Sequence, residues 1–152
     1  MYDLGLVLFC EVVAHNQVIK ERLLTTLLDM VFRERCGEII NRSLVKNITQ
    51  MLVDLGVNSR EVYEEDFEAP FLEATSDFYK LESREFLASN SCPDYLRKVD
   101  MRMKEELDRV HHYLDEQSSE TKVKEVVERE LISAHMQNLV HVSICLAETT
   151  SL

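Results

Sequence analysis

Apolar positions recur along this chain every three or four residues, the spacing of one face of an α-helix, and nowhere alternate over the length of a strand. The string Leu4, Val7, Leu8, Phe9, Val12 and Val13 predicts a first helix from about Asp3, as N-cap, to His15. It is too apolar for a one-sided surface helix and expects neighbours on two sides. Ile19, Leu23, Leu27 and Met30 mark a second helix, about Val18 to Arg35. Arg33 and Arg35 fall at its negative end, and Gly37 supplies a left-handed stop. Leu44, Ile48, Met51 and Leu55 mark a third, about Arg42 to Leu55, with Asn41 or Ser43 as cap and Gly56 as stop.

Beyond a turn at Val57 to Arg60, Pro70 interrupts the pattern. It cannot donate a backbone hydrogen bond and sits best in the first turn of a new helix. A short helical turn around Glu64 to Phe67 is therefore predicted, then a fourth helix from about Ala69 to Ala88. Phe71, Ala74, Phe78 and Leu81 share one face, which places Phe78 in the expected core. Ser91-Cys92-Pro93-Asp94 is a start signal for a fifth helix, about Pro93 to Leu114. Its Leu96, Val99, Met103, Leu107, Val110 and Leu114 form nearly a coiled-coil seam, expected to pack within the domain rather than across a dimer. Asp100 with Lys104 and Glu105 with Arg109 add exposed pairs. Ser118 to Thr121 caps a sixth helix, about Thr121 to Val140, with Val123, Val127, Leu131 and Ala134 as core and Glu125 with Arg129 outside. His141 to Leu152 reads as an irregular, frayed tail. The fold class is all-α: a helical-repeat bundle of about six helices.

Composition supports this. Three Gly and two Pro in 152 residues leave little material for the turns of an all-β fold. A net charge of −11, spread along both halves, repels phosphates and argues against nucleic acid; it suits solubility or a basic protein partner. Cys10, Cys36, Cys92 and Cys145 lie far apart, the pattern of reduced thiols rather than of a disulfide framework. The longest apolar run, Leu4 to Cys10, is too short to span a membrane and lacks the positive flank of a leader. A soluble, intracellular protein is expected.

Catalytic chemistry finds no foothold. Gly5, Gly37 and Gly56 stand alone, so no phosphate-binding loop exists, and there is no nucleophile elbow. A di-metal carboxylate bundle needs two Glu-x-x-His pairs; Asp108 and His111 approach that once, with the shorter acid. His111 and His112 point about 100° apart on a helix and do not chelate one ion together. His135 and His141 lack ligand spacing, and the carboxylates from Glu64 to Glu68 lack a calcium-loop pattern and read as a solvated helix start. Cys10 reads as core. No catalytic, metal or cofactor residue is predicted, no cofactor is expected, and the partner-binding residues are unassigned.

Four ordered stretches resemble the cullin family: Arg33 to Arg42, followed by a helix ending at Leu55-Gly56; Val62 to Glu73; Glu82 to Leu87; and Val126 to Met136. The likeness covers about residues 4 to 140 and is greatest to the branch that recruits BTB-domain substrate adaptors. It implies a segment of a solenoid-like stalk built of five-helix repeats, in a scaffold without catalytic groups. Residues 1–117 would be the second repeat, 118–140 the first helix of the next, and 141–152 a tail departing from the family. The stalk would link BTB-type substrate adaptors at one end to a RING-box protein at the other, in cytoplasm and nucleus. Both binding regions are expected to lie outside this chain. The competing reading is a free-standing acidic helical module that binds a basic protein as regulator or competitor.

Overall fold

The computed structural model describes Leu8, Val12 and residues 16–56, 59–137 and 139–140. Among them every regular element is helical. Helix α1 is Gln17–Arg35 and α2 is Arg42–Leu55. Helix α3 comprises Glu61–Tyr63, a π-helical turn Glu64–Glu68, and Ala69–Ser89. Helix α4 is Cys92–Tyr113 and α5 is Glu116–Leu131, followed by a 3₁₀ turn, Ser133–His135. Of the predicted first helix only Leu8 and Val12 are described; both are helical and exposed. Its remaining residues and the tail 141–152 lie outside the described residues.

Local chemistry sets the helix ends. Asn16 accepts from the Ile19 N–H at 3.3 Å and Asn41 from the Leu44 N–H at 3.1 Å, each relieving an orphan donor of the first turn. Helix α1 closes in a Schellman motif. Glu38 N–H donates to the Arg33 carbonyl at 3.0 Å and Gly37 N–H to that of Glu34 at 2.9 Å, with Gly37 at φ +95°. Gly56 differs from expectation: it ends α2 at φ −82°, outside the left-handed region. Its bare Cα is needed for space instead, because a Cβ there would stand 2.2 Å from the Ser59 carbonyl oxygen.

The expected break before Ala69 does not occur. Pro70 lacks an N–H, and in an α-turn its ring would collide with the Asp66 carbonyl. The chain widens by one residue, Ala69 N–H donating to Glu64 five residues back, and the helix continues. The sixth predicted helix also shifts. It begins at Glu116, so Ser119 is a buried helical residue rather than a cap, and it ends at Leu131, leaving Ala134 exposed in the 3₁₀ turn.

The chain divides into two compact units, Met1–Phe71 with His111–Ser118, and Leu72–Val110 with Ser119–Leu152. In the first, Leu27 and Val31 of α1 and Val45 and Leu52 of α2 are buried with an aromatic ladder on α3. Tyr63, Phe67 and Phe71 stand 5.7 and 5.6 Å apart, and the Arg35 guanidinium covers the Phe71 ring at 5.3 Å. In the second, Tyr79 of α3, Tyr95, Val99 and Val110 of α4, and Val123, Val127 and Leu131 of α5 are buried.

Three expectations about faces fail here. Phe78 is only half-buried and Leu81 is exposed, because α3 turns Thr75, Tyr79 and Ser83 inward. Leu96 is exposed and Met103 and Leu107 half-buried, because α4 buries Tyr95, Arg102, Glu106 and Arg109. Arg109, expected outside with Glu105, is buried against Glu106.

Candidate functional site: polar clusters and an open apolar face

Two polar clusters and one apolar face are the candidates for chemistry or recognition. In the first unit Arg42 grips Glu34 with two nitrogens, at 3.1 and 3.2 Å, and lies 5.9 Å from the Tyr113 ring centre. The Tyr113 hydroxyl donates to the same carboxylate at 3.3 Å, and its backbone carbonyl accepts from Thr49 at 2.6 Å. Arg60 reaches Asp115 and Gln117, both at 2.6 Å, and the Asp115 N–H donates to the Tyr63 hydroxyl at 3.2 Å.

The carboxylates Glu64 to Glu68, expected as a solvated helix start, are partly internal. Glu68 is buried and accepts from the Ser118 hydroxyl at 2.6 Å, while Asp66 pairs with Lys20 at 3.0 Å. Glu65 stays exposed, as the solvated reading expects.

In the second unit Arg102 is the hub. Its Nε lies 3.0 and 3.2 Å from the Glu82 oxygens, another nitrogen reaches Glu105 at 2.8 Å, and the Phe78 ring lies 5.6 Å from its centre. Burial works against its charge, but the hydrogen bonds to Glu82 and Glu105, with the field of Glu82, outweigh that and hold the pKa above its ordinary value. Glu106, fully buried, accepts from the Tyr79 hydroxyl and from Arg109. The Tyr95 hydroxyl donates to the Leu131 carbonyl; burial, helped by the charge of Glu82, pushes its pKa up to about 12. Among the described residues no buried side-chain nitrogen or oxygen lacks a partner. Satisfied networks of this kind rigidify a core.

The residues considered as metal ligands form no three-ligand cluster among the described residues. Asp108, His111 and His112 are exposed, with His111 3.0 Å from Glu116. His135 is half-buried, 2.8 Å from the Ser83 hydroxyl and edge-on to Tyr95. Cys36 is exposed and Cys92 half-buried; Cys10, His141 and Cys145 lie outside the described residues. Among the described residues no three His, Cys, Asp or Glu side chains come together to hold a metal ion, and no described helix is long and apolar enough to cross a membrane.

The open apolar face is a groove between α1 and α2, lined by Ile19, Leu23, Thr26, Met30, Leu44 and Ile48 with Arg22 on its rim. Ile39, in the loop between the two helices, is fully exposed.

The family described as the cullin alpha solenoid domain matches residues 1–151. The chain belongs to the cullin family. The match takes in residues 142–151, which the stretches read from sequence had left outside the resemblance. This cullin chain is 58% identical to Cullin-3 of Dictyostelium discoideum over 140 residues, 92% of the chain and 18% of that protein. It is 52% identical to Cullin-3A of Arabidopsis thaliana over 141 residues, 93% of the chain and 19% of that protein. Against Cullin-4A of Mus musculus the identity falls to 34%, over 90% of the chain and 17% of that protein. The chain therefore spans less than a fifth of the length of these curated relatives, and its likeness is greater to these two third-branch cullins than to that fourth-branch one.

Proposed function

We propose that this chain is a non-catalytic stalk segment of a cullin-RING ubiquitin ligase, acting in ubiquitin-dependent protein degradation. The observation that carries the reading is the 49–58% identity to three Cullin-3 proteins over 92–93% of the chain. The satisfied polar cores of both units support it, since a stalk contributes by stiffness: holding a substrate and a charged ubiquitin carrier at one separation makes their encounter intramolecular. BTB-type substrate adaptors and a RING-box protein engage parts of the ligase outside this chain, in cytoplasm and nucleus. Residues 1–117 act as one repeat, 118–140 open the next, and 141–152 form its tail.

The test is a graft. The matching segment of Dictyostelium Cullin-3 is replaced by this sequence, and substrate ubiquitination is measured in a reconstituted ligase, with and without a flexible Gly-Ser insertion after the exposed Asn90. The graft should retain the parental rate. The insertion should lower the rate about tenfold or more while adaptor and RING-box binding persist, because effective concentration falls when a linker loses its geometry. An inactive graft that still binds both ends, or an insertion without effect on rate, refutes the stalk role. Inhibition of the parental ligase by the free chain would favour the acidic regulatory module instead.

A further inference from the structure

Helix α4 carries two strips that compete to face inward. One is apolar, Leu96, Met103 and Leu107. The other, displaced by one residue and so rotated by about 100°, is polar: Tyr95, Arg102, Glu106 and Arg109. Val99 and Val110 lie between the two strips and are buried. Hydrophobic burial alone favours the first strip. The structure buries the second: Glu106 is 0% and Arg109 3% exposed, while Leu96 is 49% exposed.

The polar strip is held at three levels along the helix. Near its start the Tyr95 hydroxyl donates to the Leu131 carbonyl at the end of α5. Midway Arg102 grips Glu82 of α3 through Nε at 3.0 and 3.2 Å. One turn later Glu106 accepts from Tyr79 of α3 and from Arg109. A rotation of α4 that buried Leu96, Met103 and Leu107 would break all three, taking Tyr95 from the Leu131 carbonyl, Arg102 from Glu82 and Glu106 from the Tyr79 hydroxyl. We propose that the two charged pairings, Arg102 with Glu82 and Glu106 with Tyr79 and Arg109, and not the burial of apolar surface, set the rotation of α4 about its own axis. They act as a register pin, in the manner of the single buried polar residue that selects one alignment in a coiled coil.

The pin contributes uniqueness rather than stability, because a buried ion pair replaced by apolar groups of similar volume is often neutral or stabilising. The test uses the full chain labelled with 3-fluorotyrosine, with the Tyr95 resonance assigned by Tyr95→Phe. The parent should show one buried Tyr95 fluorine signal. The unpinned variant, Glu82→Leu with Arg102→Met, Glu106→Met and Arg109→Met, should keep its helical circular dichroism while the Tyr95 signal splits or broadens, one component acquiring a solvent isotope shift. A single, buried, unshifted Tyr95 signal in a helical unpinned chain overturns the proposal.

Should the unpinned chain lose its helicity, the deciding variant adds Leu96→Gln, Met103→Gln and Leu107→Gln to it, so that only one strip can face inward. Recovery of helicity with one buried Tyr95 signal supports the pin; failure to recover it overturns the pin. Both readouts concern Tyr95 to Arg109 of α4, all within the second unit, so their failure leaves the stalk reading standing.

Discussion

Raising the pH through the range of an ordinary phenol should destabilise the second unit through Tyr95. Its ring is buried, its hydroxyl donates to the Leu131 carbonyl, and a phenolate cannot make that donation. Burial, with the charge of Glu82, raises its pKa from 10.0 to about 12. Because the folded value is the higher one, the unfolded chain releases its proton first. The stabilisation is whole below the unfolded value of about 10 and is lost as pH climbs through about 12. A gap of about two units corresponds to a loss of about 1.4 kcal/mol by about pH 11 and of about 2.7 kcal/mol well above the folded value. Urea unfolding at about pH 8 and about pH 11, followed by circular dichroism, measures it. Lysines and other tyrosines titrate in the same range, so the reference is Tyr95→Phe. That variant should be weaker at about pH 8 by about 1–3 kcal/mol, the cost of an unsatisfied buried carbonyl. Its further loss on going to about pH 11 should be smaller than the parent's by about 1.4 kcal/mol. Equal losses in the two proteins would mean that the phenol is hydrated in the fold, and the account of the α4–α5 contact would be wrong.

Two further sets of variants test the packing by urea denaturation. Gly37→Ala should cost about 1–2 kcal/mol from φ alone, since nothing lies within 4 Å of the added Cβ, and Gly37→Asn should cost less. Gly56→Ala should cost about 1–3 kcal/mol by collision with the Ser59 carbonyl, with no relief from Asn; equal relief by Asn at both glycines would refute the distinction. Phe71→Ala, at a fully buried site, should cost about 3–5 kcal/mol, and Phe78→Ala, half-buried over Arg102, about 1–2 kcal/mol; the reverse order would show that α3 faces the other way.

Helix ends were legible because they are settled within a few residues. The Asn41 side chain reaches the Leu44 N–H three residues on, and Gly37 adopts the left-handed conformation that its neighbours' hydrogen bonds require. Helix α2 runs from Arg42 to Leu55 as its stripe and caps predict. Pro70 misled because its two effects point different ways. A missing N–H suits a helix start, yet a wider turn satisfies the same constraint without stopping the helix, and no residue in Glu64 to Glu68 announces that choice. The last helix misled through Ser118 to Thr121. These are good caps, but Ser118 hydrogen-bonds Glu68 fifty positions away, and that tertiary contact places the helix start at Glu116 instead.

Faces were less legible than ends, and α4 shows why. A stripe read from hydrophobicity assumes that the core is apolar, and the strip Leu96, Met103 and Leu107 satisfies that assumption better than the strip actually buried. What decides the matter is a set of partners on other helices, Glu82 and Tyr79 on α3 and the Leu131 carbonyl on α5, at separations of 20, 27 and 36 residues. No periodicity within α4 encodes them. Each of the charges drawn inward would be costly alone and is tolerated only because its partner arrives with it. The same property that hides the network from a one-dimensional reading suits it to the stalk role proposed above. An apolar face can slide by a turn and still be apolar, whereas Arg102 meets Glu82 at one rotation only. A scaffold whose contribution is a fixed separation gains more from the second kind of core than from the first.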